Sequence, residues 1–161
     1  MRVRRALVAL LCAGALPGCL GAVPLRPRAY DEAVRVKAVA VDFKPDGTGL
    51  VDLELEVHNP SSDAAILTGV DFELRVDGRR VAVGAQQVAA PLAPETTAPL
   101  RVLFPLAGEK STGGTEAVAR RVLVTGGVVL RFGGTERRAP FEAKRVLPLA
   151  WVPPPSGPES G

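Results

Sequence analysis

Histidine, cysteine and the aromatics are nearly missing from this chain. Its 161 residues include one histidine, two cysteines, one tryptophan and one tyrosine, and aromatics make up only 4%. A zinc or iron site built on imidazole and thiolate needs several such ligands, and His58 has no second histidine to work with. A Ser-His-Asp triad would have to use His58, yet no Gly-x-Ser-x-Gly elbow is present, and Ser61 and Ser62 follow it too closely. The segment Gly108-Glu-Lys110-Ser-Thr112 lacks the Gly-Lys step and the upstream glycine of a phosphate-binding loop. The expectation is therefore no catalytic residue, no metal and no cofactor, with a core built mainly from Val, Leu, Ala and Ile.

Net charge is missing too, once its source is located. Lys and Arg number 20 against 17 Asp and Glu, but Arg2, Arg4 and Arg5 all stand before Cys19. Residues 19–161 are therefore electrically balanced, which leaves no footprint for nucleic acid and no basic patch for an anionic surface. The pairs Arg79-Arg80, Arg120-Arg121 and Arg137-Arg138 have no interleaved aromatics and read as solvated charge. Asp52, Glu54 and Glu56 alternate along one stretch and read as a wet strand face, lacking the glycine-turned loop that would wrap a calcium ion.

A hydrophobic run long enough to cross a bilayer is also absent. Ala6 to Leu16 follows the basic start and has the length of a signal-peptide core, well short of the roughly 20 residues that span a membrane. Leu16-Pro17-Gly18-Cys19 comes next and resembles the lipobox of bacterial lipoproteins. The resemblance implies residues 1–18 as a cleaved lipoprotein signal and Cys19 as the lipidated residue. Acyl chains there would bind at roughly 0.8 kcal/mol per buried CH₂. Leu20, not Asp, follows Cys19, which by resemblance to the sorting rule of two-membrane bacteria directs the chain to the outer membrane, facing the periplasm. Cys12 would leave with the signal, so the remaining chain would carry no disulfide. Residues 19–33, with Pro24 and Pro27, are expected as a tether. Residues 148–161, with the Pro153-Pro154-Pro155 run beside Trp151, are expected as a Pro-rich disordered tail.

Between these ends, residues 34–147 are dominated by period two. Val51, Leu53, Leu55 and Val57 alternate with Asp52, Glu54, Glu56 and His58, the mark of a strand with one buried face. Val70 to Asp77, Leu100 to Leu106, Val128 to Phe132 and Val39 to Phe43 repeat the pattern, while Val34 and Val36 fall out of phase and predict a bulge near Lys37. Turn signals separate the runs: Pro45-Asp46-Gly47, Asn59-Pro60-Ser61-Ser62, Asp77-Gly78, Pro91 and Pro94, Gly126-Gly127 and Gly133-Gly134. Pro60 cannot donate to a ladder and holds Asn59 extended, so a strand ends there. About seven half-buried strands call for two sheets packed face to face. The expected fold is all-β: a seven-stranded antiparallel sandwich of the fibronectin III or immunoglobulin kind. One short helix is added over Thr115 to Val124, where Val118 and Val122 stand four apart.

The stretch Leu53 to Gly84 holds a strand, the Asn59-Pro60 turn, Gly69, the Phe72-Glu73-Leu74 strand, the Asp77-Gly78 turn and a Val81-Ala82-Val83-Gly84 finish. This resembles the type 2 late embryogenesis abundant (LEA) family, whose core is the water-stress and hypersensitive-response (WHy) domain. The resemblance is strongest over that stretch and extends across roughly 34–146. It implies a sandwich with one helix and a non-enzymatic role in tolerance of desiccation or other stress, through contact with membranes or client proteins. It also implies that Asn59, Pro60, Gly69, Phe72, Asp77, Gly78 and Gly84 form the family framework, with the Asn59 loop a candidate binding surface. The competing expectation is an adaptor lipoprotein that docks an envelope or secretion complex through a sheet edge or loops.

Overall fold

The computed structural model describes residues 28–107 and 116–150. The signal segment, Cys19, most of the tether, Gly108 to Thr115 and the tail beyond Ala150 lie outside the described residues. A helical turn, α1 (Arg28–Asp31), precedes seven strands: β1 (Val34–Phe43), β2 (Thr48–His58), β3 (Ala65–Val76), β4 (Arg79–Leu92), β5 (Thr97–Ala107), β6 (Val118–Phe132) and β7 (Thr135–Leu149). They form a three-stranded sheet, β1-β2-β5, and a four-stranded sheet, β4-β3-β6-β7. Every pairing is antiparallel, so the expected sandwich is the fold.

Alternation decides which side of each strand is buried. On β2, Val51, Leu53, Leu55 and Val57 are all at most 1% exposed. They join Val70, Phe72, Leu74 and Val76 of β3, Val122, Val124, Val128 and Leu130 of β6, and Val102 and Phe104 of β5 in one core. Burial of each such side chain contributes about 1.5–3 kcal/mol. Phe72 and Phe104 bridge the two sheets with ring centroids 4.3 Å apart. The phase break at Val36 is the expected bulge: the β1–β2 register slips between Val36 and Ala38.

Three local expectations are corrected. Val118 to Val124 is not a helix but the first half of β6, paired residue for residue with β7 from Val118↔Leu149 to Phe132↔Thr135. A spacing of four is also a multiple of two, so Val118 and Val122 share a face in a strand as well as in a helix, and β7 supplies the ladder. The one described helix is α1 instead. Gly126-Gly127 is not a turn but the middle of β6, and Pro91 lies within β4. The packed unit also runs past both ends of 34–147. Tyr30 of α1 is 2% exposed and meets Phe132 edge-on with centroids 6.3 Å apart, and Leu149 closes β7 at 5% exposure.

Candidate functional site

The framework residues of the Leu53 to Gly84 stretch divide between the two ends of the sandwich. At one end the chain crosses between sheets twice, from β2 to β3 and from β4 to β5. Asn59 and Ser61, at the first crossing, are fully buried. The Asn59 amide nitrogen Nδ2 donates to the Asp63 carbonyl at 2.8 Å and to the Ala93 carbonyl at 3.1 Å. Its Oδ1 accepts the Ser61 amide at 3.0 Å. The Asn59 amide reaches the Thr96 carbonyl, and the Glu95 amide reaches the Ser61 carbonyl. One side chain thus joins the two crossings, and Pro60 ends β2 beside it. Asn59 is a structural clasp with no surface left to offer a ligand.

The other end carries the β3–β4 hairpin. Asp77 and Gly78 have φ of 50° and 86°, the pattern of a two-residue turn with both central residues left-handed. The Asp77 carboxylate accepts the Arg121 amide and the Arg120 Nη1, each at 3.1 Å. The Arg121 amide first, and Arg120 after it, hold the Asp77 carboxyl below the usual range. The 12 residues of β3 separate this tip from Asn59 by roughly 40 Å at strand rise. Gly69 sits between them at a register slip in β3, and Phe72 is buried at 3%. Gly84 lies opposite Phe72, whose ring occupies the space a Cβ would need. Apart from Gly69, where a Cβ would find ordinary contact distances, these residues hold the fold, and the set does not converge on one centre; Cys19 lies outside the described residues.

Arrangements that the sequence did not reveal stand on the outer faces. On the four-stranded sheet, Arg138 of β7 reaches over β6 to Asp71 of β3, with Nη2 to Oδ1 at 2.6 Å and Nε to Oδ2 at 3.1 Å. The strand between them shows Gly127 on this face, and the guanidinium lies where its Cβ would be. Glu73 and Glu142 are paired by Arg75 and Lys144. On the three-stranded sheet Arg101 grips Asp52 through two bonds, at 2.6 and 3.0 Å, and that bonding holds the Asp52 carboxyl low. Lys37, at the bulge, meets Glu56 at 3.2 Å. The acidic row on β2 is thus paired at Asp52 and Glu56, and the basic pairs contribute Arg120 and Arg138 to ion pairs rather than to open charge. No sequence signal links Asp71 to Arg138, 67 residues away.

His58 Nδ1 lies 3.2 Å from the Thr97 hydroxyl, with Arg35, Glu32, Glu56 and Pro60 around it. Among the described residues no group of three or more His, Cys, Asp or Glu side chains could hold a metal ion, and no helix is long and apolar enough to cross a membrane. The Tyr30 hydroxyl is buried without a described partner, and burial pushes its pKa up against a smaller opposing pull from Arg137.

No family model matches the sequence, and no curated protein does. Solved structures do match in shape. A crystal structure of a protein from Archaeoglobus fulgidus is 13% identical at a TM-score of 0.50, covering 71% of this chain and 97% of that one. A solution structure of an Arabidopsis thaliana protein is 14% identical at a TM-score of 0.51, covering 73% and 84%. A third, provisionally named as a late embryogenesis abundant (LEA) protein, is 16% identical at 0.49, covering 71% and 70%, too low a score to carry weight. Likeness at these identities shows the shared fold alone.

Proposed function

We propose that this chain is a lipid-anchored, non-enzymatic LEA type 2 or WHy protein of the bacterial envelope, which protects membranes or client proteins during drying or related stress. One observation carries the reading. Residues that the resemblance singled out, among them Asn59, Phe72, Asp77, Gly78 and Gly84, hold this sandwich together. That is how a family framework behaves, and it differs from a scatter of generic strand residues. The sandwich shared with the archaeal and plant structures agrees with it at the level of fold.

The lipobox-like Leu16-Pro17-Gly18-Cys19 supplies the anchor in this reading, and Leu20 directs it to the outer membrane. Tyr30 is packed into the domain, so the tether is about ten residues, reaching some 30 Å when extended. The domain would work close to the bilayer surface. The test is survival after drying in cells with the gene deleted and restored as wild type or Cys19→Ser. Protection by wild type alone supports the whole reading. Equal survival of deleted and restored cells refutes the protective role, and full rescue by Cys19→Ser refutes the need for an anchor.

A further inference from the structure

A two-sheet sandwich has four edge strands, and each open edge is a template for another strand unless something blocks it. Here three of the four are obstructed. Strand β5 carries Pro99 and Pro105, and β7 carries Pro140 and Pro148. A proline has no amide for a ladder, so each stands where an amide would face the open side. Strand β7 adds charge at Arg137, Arg138, Glu142, Lys144 and Arg145. Strand β1 is kinked by its bulge, and Arg145 Nη2 donates to the Val36 carbonyl there at 3.3 Å.

Strand β4 carries such features too, with Arg79, Arg80 and Pro91 near its ends and a register slip on either side of residues 82–87, but the stretch between the slips is free of them. Residues 82–87 read Ala-Val-Gly-Ala-Gln-Gln, with no charge and no proline. They run in unbroken register against β3, from Leu74↔Ala82 to Gly69↔Gln87, between two register slips. Val83 is 58% exposed, and Ala85, Gln86 and Gln87 are exposed as well. Among the described residues only β3 pairs with β4.

We infer that residues 82–87 of β4 are a strand-addition site that takes an uncharged extended segment of a partly unfolded protein. This rests on the client-protecting reading above and names where a client binds. Main-chain hydrogen bonds along the edge supply affinity for any extended backbone. The edge offers no charge to select a charged partner, and Val83 and Ala85 favour small apolar or β-branched neighbours. A six-residue register is short of the roughly 20–30 residues a side of a standard stable interface, which favours a short strand over a second copy. Weak, sequence-tolerant capture of short exposed strands is what such an edge provides.

The test titrates the full chain into an end-capped, fluorescein-labelled Thr-Val-Thr-Val-Thr-Val peptide and reads anisotropy, with Gln86→Lys as the variant. Gln86 lies opposite the buried Val70, so it stands on the core-facing side of β4 yet is exposed. A lysine there costs the free domain little but would be covered by an added strand. Binding to wild type, weakened at least tenfold in Gln86→Lys and unchanged in Gln86→Asn and in Val146→Lys on the other edge, supports the site. Slowed hydrogen exchange at residues 82–87 on peptide binding supports it further. Equal affinity in Gln86→Lys with an unchanged melting temperature, or no binding to wild type, overturns it. A dimer of the full chain that Gln86→Lys abolishes would give the edge to a second copy and overturn the client assignment. Drying survival that persists in Gln86→Lys while peptide binding is lost overturns the client role given to this edge and leaves the protective reading standing.

Discussion

Gly126 and Gly127 are neighbours on one strand, and replacing each with alanine should have very different consequences. At Gly126 the new methyl points into the core, against the Asp71 carbonyl oxygen of the adjacent strand and 2.5 Å from Phe141 Cζ. Neither can yield cheaply, because one is ladder backbone and the other a 5% exposed ring packed in the core. Overpacking of this kind costs about 1–3 kcal/mol and sometimes more, and the backbone clash puts Gly126→Ala at about 3 kcal/mol. At Gly127 the methyl points outward and the atoms nearest to it belong to the guanidinium of Arg138, the far end of a flexible side chain. Displacing it weakens the Asp71 pair, worth about 0–1 kcal/mol at a surface. Lower chain entropy in the unfolded state returns about 0.4–1 kcal/mol, so Gly127→Ala should fall within about 1 kcal/mol of wild type. Urea melts followed by far-ultraviolet circular dichroism separate the two. With a slope of about 2 kcal/mol per molar, Gly126→Ala should lower the midpoint by about 1.5 M and Gly127→Ala by less than about 0.5 M. A double-mutant cycle of Gly127→Ala with Asp71→Asn should be non-additive, since both remove the same pair. Equal midpoint shifts for the two glycines would refute the assignment of faces along β6.

Asn59→Ala leaves the Ser61 amide and the Asp63 and Ala93 carbonyls without their partner at a buried crossing; a loss of about 2–4 kcal/mol in thermal or urea unfolding is expected. Tyr30→Phe removes a buried hydroxyl that has no described partner while keeping the ring against Phe132, so the melting temperature should hold or rise, and a clear fall would mean that the hydroxyl is bonded. Asp52 and Asp77 have carboxyls held below the usual range by Arg101 and by the Arg121 amide respectively. Their folded-state pKa values lie below the unfolded ones, so their contribution is complete above about pH 4 to 5 and is lost as pH falls through the depressed values. Stability should be flat from neutrality to about pH 5 and fall below it, and Asp52→Asn should flatten that fall.

Period-two patterning made the strands legible because one face of each is buried, and a slip of phase at Val36 announced a bulge for the same reason. Asp77-Gly78 was legible because a two-residue hairpin turn demands left-handed backbone at both positions. What stayed hidden depends on partners distant in sequence. Val118 to Val124 satisfied a helical spacing that a strand satisfies equally, and only the ladder with β7 decides between them. Gly126-Gly127 looked like a turn because the reasons for two glycines are the Phe141 ring on one side and Arg138 on the other. Prolines 24 and 27 drew the whole segment before residue 34 into a tether, although Tyr30 finds a pocket of core beside Phe132. The Asn59 turn was visible, but its burial was not, since the second crossing that it clasps lies more than thirty residues on.

The same facts narrow where function resides. The Asn59 clasp is buried, and Asp52, Glu56, Asp71, Glu73, Asp77 and Glu142 are each engaged by an arginine or lysine, so these groups are committed to the domain's own contacts. Asn59, Phe72, Asp77, Gly78 and Gly84 stabilise the sandwich at separate points, so altering them should change activity only as far as it changes folding. In the client-binding reading, recognition of an uncharged extended segment falls to backbone or to apolar surface. Of the two, backbone is exposed in unbroken register, without proline or charge, at residues 82–87 of β4, while the large apolar side chains exposed elsewhere, Leu50, Ile66, Leu103, Val118 and Val146, are distributed over different strands and both sheets. Mutations should therefore separate into two groups: framework changes that lower stability and activity together, and edge changes at residues 82–87 that lower binding at constant melting temperature. Finding activity loss without stability loss at Asn59 or Asp77 would return the site to the loops.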